Sequence, residues 1–109
     1  MNVIKTSYDI LEKVNADKIV LYNFKNHSPF YDFFIVASVN ERSQQAAISY
    51  FNEALKGSIR HVEGKNQKSW TLIDMGDVVV HLFKDEDRSF YGFDQRFLEF
   101  KDNIDKYIK

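Results

Sequence analysis

The chain has 109 residues, 44% hydrophobic and 28% charged, which is the length and composition of one soluble globular domain. Fifteen Lys and Arg against sixteen Asp and Glu leave a net charge of −1, without the basic surplus of a protein held on nucleic acid by phosphate contacts. There is no cysteine, which excludes disulfides, thiolate zinc sites and a cysteine nucleophile.

Ile4, Tyr8, Leu11 and Val14 fall at helical spacing and predict an amphipathic helix over residues 3–15. Asp17 opens a turn into a short strand at 19–22, and Asn26-His27-Ser28-Pro29 reads as a loop. The run Phe33-Phe34-Ile35-Val36-Ala37 is apolar at every position, the pattern of a strand buried on both faces. A helix follows. Asn40 is its N-cap, Glu41 lies in the first turn, Gly57 is placed to supply a left-handed terminus, and Ala47, Tyr50, Phe51, Ala54 and Leu55 form its apolar stripe. With a strand at 59–63 this predicts a parallel, right-handed strand–helix–strand unit. Residues 64–69 are turn-like, and Trp70–Ile73 and Val78–Phe83 flank Asp74-Met75-Gly76-Asp77 as an antiparallel hairpin. Residues 84–88 read as a charged loop, and the spacing of Phe97, Phe100 or Lys101, Ile104, Tyr107 and Ile108 predicts a closing helix from Phe93 onward. The expected fold is a single α/β domain over residues 1–109, a mixed sheet of about five strands flanked by helices. No apolar run approaches the roughly 20 residues of a spanning helix, and the first residues lack the apolar stretch of a signal peptide, so no membrane association and a cytoplasmic location are expected.

The residue types that carry chemistry are thinly distributed. No Gly-x-Ser-x-Gly elbow accompanies His27, His61 and His81, and His81, inside a strand on the face of Val79 and Phe83, reads as a hydrogen-bonded structural histidine. Asp85-Glu86-Asp87 lacks the alternation of a calcium loop and reads as solvated, so no metal site is expected. The approach to the best helix, Ser38-Val39-Asn40, has no glycine to cradle a phosphate, so no cofactor is expected. A nucleotidyltransferase of this strand order needs two acids one residue apart on a strand, whereas Asp32 is followed by Phe33 and Phe34. Asp74 and Asp77, across a glycine turn, are the usual acceptors for nearby backbone amides. A divergent magnesium-dependent nucleotidyltransferase using Asp32, Asp74 and Asp77 stands as one alternative. The other is a small single-stranded RNA-binding domain that uses its aromatics with Lys56, Arg60, Lys65 and Lys68. Trp70, Phe83, Phe90, Tyr91 and Phe93 gather with Arg88 in the last third, the residue types that anchor protein interfaces.

Several of these segments together resemble one family. Residues 70–83, WTLIDMGDVVVHLF, look like the signature strand pair of the Iojap proteins, the bacterial ribosomal silencing factors (RsfS). Arg88-Ser89-Phe90-Tyr91 resembles that family's arginine followed by Phe-Tyr, and Ser28–Val36 resembles its Ser-Pro…Asp-Tyr-Phe-Val segment. Glu41–Ala46 is similar to its Ser-x-Arg-Gln helix start, and the likeness spans residues 14–97. Met75 stands where an aromatic is usual, and Phe97 where a tryptophan is. The resemblance implies a nucleotidyltransferase-like fold without catalytic acids, and a regulator rather than an enzyme. It implies a protein that binds the large ribosomal subunit through protein L-fourteen, blocks subunit joining and represses translation when nutrients are scarce. Homodimers are reported for isolated members. The expected contact set is Trp70, Phe83, Arg88, Phe90 and Tyr91, with Asp74 and Asp77 as second choices and the charges of Asp77 and Arg88 setting register.

Overall fold

A computed structural model describes residues 2–64 and 69–109. The first helix, α1 (Val3–Lys13), is capped by Asn2, whose side chain accepts the Lys5 N–H at 3.1 Å. Its inward stripe of Ile4, Ser7, Ile10 and Leu11 packs on the sheet. Strands β1 (Asp17–Asn23) and β2 (Phe33–Ser38) pair antiparallel, and β2 lies in the middle of the sheet as its unbroken apolar run predicts. Helix α2 (Glu41–Ala54) starts at Asn40, whose side chain accepts the Ser43 N–H at 2.7 Å. Its end differs from expectation. Leu55 closes the helix at φ −128°, the N–H groups of Ser58 and Ile59 return to the Leu55 carbonyl, and Gly57 stays outside the left-handed region.

Strands β3 (His61–Glu63), β4 (Trp70–Asp74) and β5 (Val78–Phe83) complete one side of the sheet, with β4 and β5 forming the expected hairpin. The parallel neighbour of β2 is β5, and β3 pairs antiparallel with β4 at the edge. The expected strand–helix–strand unit is therefore corrected: β2 and β3 point the same way, but the connection through α2 passes over two intervening strands. The order is β3-β4-β5-β2-β1-β6, six strands rather than about five.

The sixth strand and a further helix come from the C-terminal third. Residues 84–88 are not a loop, because α3 spans Asp85–Tyr91 with three acids in the first turn, where the helix dipole favours them, and a left-handed Gly92 after it. The expected closing helix is broken into α4 (Phe93–Arg96), a 3₁₀ turn at Leu98–Phe100, the two-residue β6 (Lys101–Asp102) and α5 (Asp105–Ile108). The break has a local cause. Asp102 accepts the Asn103 N–H at 2.8 Å and Asn103 accepts the Asp105 N–H at 3.0 Å, side-chain bonds that compete with helix continuation.

The sheet separates two cores of different chemistry. Aliphatic side chains from β1, β2, β4 and β5 meet α1 and α2 on one face, with Leu11, Leu21, Ile35, Phe51, Ile73, Val80 and Leu82 at its centre. The other face is aromatic: Tyr22, Phe24, Phe34, Phe83 and Phe93 are buried there beneath residues 85–100.

Candidate docking interface

Alternation along β4 puts Trp70, Leu72 and Asp74 on the aromatic face, and pairing with β5 sets them opposite Phe83, His81 and Val79. Pairing with β3 adds His61 opposite Asp74 and Glu63 opposite Leu72. Residues 85–100 roof the central strands but reach outward only as far as Tyr91, which leans on Trp70 with ring centroids 5.3 Å apart. Beyond that contact none of the described residues covers the face. Trp70 and Leu72 remain half-buried, and with Glu63 and Gly64 they line a shallow depression of about 290 Å³.

Trp70 is braced from beneath and from the side. Its ring lies 10° from the plane of Phe83 at a centroid distance of 5.8 Å, and Phe93 meets it edge-on at 6.0 Å. The ring series continues through Tyr91 to Phe90, 5.5 Å apart, and Phe90 is 84% exposed. An apolar strip thus runs from Leu72 through Trp70 and Tyr91 to Phe90. Gly64 shapes one wall: it holds φ +80°, and a Cβ there would collide with the Trp70 carbonyl oxygen. Gly64→Ala is expected to cost at least about 2 kcal/mol of stability, read as a drop in the urea midpoint, because both the backbone angle and the approach to β4 reject a side chain.

The expected contact residues divide into two groups. Trp70, Phe90 and Tyr91 present surface, whereas Phe83 is 0% and Arg88 5% exposed. The Arg88 guanidinium engages four of its five N–H groups. It bonds Asp94 at 2.8 and 3.1 Å, the Lys18 carbonyl at 2.7 Å and Ser38 Oγ at 3.0 Å. Asp94 also accepts the Tyr22 hydroxyl. Bonding to Arg88 holds the Asp94 carboxyl below the usual range, while burial and the Asp94 bond raise the Tyr22 phenol. Arg88 and Phe83 therefore lie beneath the strip and present almost no surface of their own. The Asp74 carboxylate accepts the Gly76 N–H at 2.8 Å, the turn-forming role its position predicts. The Asp77 carbonyl receives the N–H groups of Asp32 and Phe33 at 2.8 and 2.9 Å, and the residue is exposed. Among the described residues no group of three acids or histidines converges as a metal ion would need, and Asp32, Asp74 and Asp77 form no such group. Of the basic patch, Lys56 and Arg60 are exposed, and Lys65 and Lys68 lie outside the described residues.

His81 is 2% exposed, and its Nδ1 accepts the Trp70 indole N–H at 3.2 Å. Burial pushes the imidazole from its ordinary 6.5 down to about 3. The unfolded chain takes up this proton near 6.5 and the folded chain only near 3, so the folded state loses stability as pH falls through that window. The urea midpoint is expected to be lower at pH 5 than at pH 7, and His81→Asn is expected to flatten the difference. Leu72 and His81 were not among the residues expected from sequence to serve the interface. Their signal is period-two alternation, with Leu72 two residues from Trp70 on one strand and His81 opposite it on the next.

The RsfS model, "ribosomal silencing factor during starvation", matches residues 1–107 of the chain. The chain belongs to the RsfS family. The match extends beyond the 14–97 expected from the motifs, taking in α1 and nearly all of the C-terminal segment. Two relatives named ribosomal silencing factor RsfS are each 30% identical: one from Halalkalibacterium halodurans, over 85% of this chain and 83% of the relative, the other from Zymomonas mobilis, over 97% and 82%. A crystal structure of a Chromobacterium violaceum protein superposes with a TM-score of 0.78 at 26% identity, covering 85% of this chain and 81% of that one. Among the described residues, no helix is long and apolar enough to cross a membrane.

Proposed function

We propose that this protein docks on the large ribosomal subunit through protein L-fourteen, obstructs joining of the small subunit and so represses translation under nutrient limitation. The reading is carried by one observation: the aromatic roof stops at Tyr91 and leaves Trp70 and Leu72 half-buried at the edge of an otherwise closed core. Aromatic anchors of this kind, braced from behind and open in front, concentrate binding energy in protein interfaces. Membership of the RsfS family supports a ribosomal target. Size is adequate as well, because a molecule of 33 × 32 × 25 Å offers on one face the roughly 800 Å² a specific interface uses per partner.

The anchors in this reading are Trp70, Tyr91 and Phe90, with Leu72 beside them and the carboxylates of Asp74 and Asp77 at the rim. Phe83 and Arg88 hold the anchors from beneath. A body of this size wedged between the subunits obstructs joining by its bulk and needs no catalytic group. The cytosol, where subunits join, is the place of action. Sedimentation tests the proposal directly. The protein is expected to comigrate with isolated large subunits and to reduce the yield of joined ribosomes when small subunits are added. Absence of the folded protein from the large-subunit fraction would refute it.

A further inference from the structure

The aromatic layer contains one polar ring that nothing in apolar packing requires. His81 sits between Phe34 and Phe93, which meet it edge-on at centroid distances of 4.3 and 4.9 Å. Its Nδ1 accepts from Trp70 Nε1, so in the neutral ring the proton resides on Nε2. Among the described residues, that Nε2 is buried without a hydrogen-bond partner. An unpaired buried donor costs stability, and a phenyl ring at this position would avoid the cost. What the imidazole gains over a phenyl ring is its acceptor, and the acceptor is spent on Trp70. The ring planes of Trp70 and His81 are 22° apart, and the bond between Trp70 Nε1 and His81 Nδ1 spans 3.2 Å.

We infer that His81 is a positioning residue for docking: it fixes the rotation of the Trp70 indole and occupies its only polar atom, so that the partner meets Trp70 through ring carbon alone. The inference rests on the docking reading above and adds a restriction to it. An indole free to turn about its side-chain bonds presents either an apolar edge or a donor, and ordering it on binding costs entropy. An indole pinned by Nδ1 presents the same apolar edge before and after the partner arrives. The partner surface opposite Trp70 is accordingly apolar, with no acceptor reserved for the indole N–H.

The single tryptophan makes the test clean, because the protein has one indole N–H signal in a nitrogen–proton NMR spectrum. In the wild-type protein that signal is expected to exchange slowly with water. In His81→Phe it is expected to lose protection and shift, and the dissociation constant for isolated large subunits is expected to rise roughly three- to tenfold, the worth of one such bond. His81→Asn places an amide oxygen near the position of Nδ1 and is expected to restore both readouts to within about twofold, which loss of ring packing alone would not allow. Wild-type affinity in folded His81→Phe overturns the inference, as does failure of His81→Asn to recover binding while its indole N–H stays protected. A wild-type indole N–H that exchanges as freely as an exposed one overturns it without any variant, even if His81→Phe does not fold. Trp70→Ala separates the two levels. Unchanged binding there removes Trp70 as the anchor on which the docking reading places the partner, whereas lost binding there with wild-type affinity in His81→Phe refutes only the role of His81.

Discussion

Trp70→Ala is expected to weaken binding to the large subunit at least about 30-fold while the protein stays folded. Truncation of a central aromatic anchor typically costs 2 kcal/mol or more, and each 1.4 kcal/mol is about a factor of ten in affinity. Trp70 meets the conditions for such an anchor: its ring rests on Phe83, Tyr91 and Phe93, and its outer edge borders the open depression with Leu72. The fold should survive, because Trp70 is half-buried and the centre of the aromatic core lies at Phe34 and Phe83. Affinity measured by sedimentation against large subunits, with circular dichroism as the check on folding, decides the matter. Near-wild-type binding in the folded variant would remove Trp70 from the interface.

Arg88→Ala is expected to act on stability first. The substitution removes the charged partner of Asp94 and the bonds to the Lys18 carbonyl and Ser38 Oγ, and it unties α3 from β1 and β2. Removing one partner of a buried ion pair costs roughly 3–5 kcal/mol. Asp94 retains a side-chain exposure of 44%, so water recovers part of that loss. About 2–4 kcal/mol is the expected cost, a fall in melting temperature on the order of 10 °C or more in a domain of this size. Any loss of ribosome binding should track the loss of folded protein and return on cooling. A melting temperature within about 2 °C of wild type would show that the network is redundant.

How much of this was legible in the sequence depends on which physical signal each element carries. Helix α2 announced itself through its Asn40 cap and apolar stripe, and the β4–β5 hairpin through its Gly76 turn, since both are local features. The neighbours of β3 were not legible, because periodicity fixes which face of a strand is buried but not which strand lies beside it. Helix α3 looked like a solvated loop: its seven residues are too few to display a stripe, and its acidic first turn resembles a charged run. Strand β6 is two residues long and carries no pattern at all. At the interface, the cluster of Trp70, Phe83, Arg88, Phe90 and Tyr91 was visible as composition. Its division into exposed anchors and buried supports was not, because Phe83 and Phe90 are the same residue type and only tertiary packing separates them.

The C-terminal position of the aromatic roof bears on how the molecule is made. Synthesis runs from the N-terminus, so the aliphatic side of the sheet can gather α1 and α2 as soon as β5 has joined β2. The roof over Phe34, His81 and Phe83 belongs to residues 85–100, which are translated after everything they cover. While that segment is undocked the sheet presents bare aromatic rings, the kind of surface that recruits chaperones or seeds aggregation.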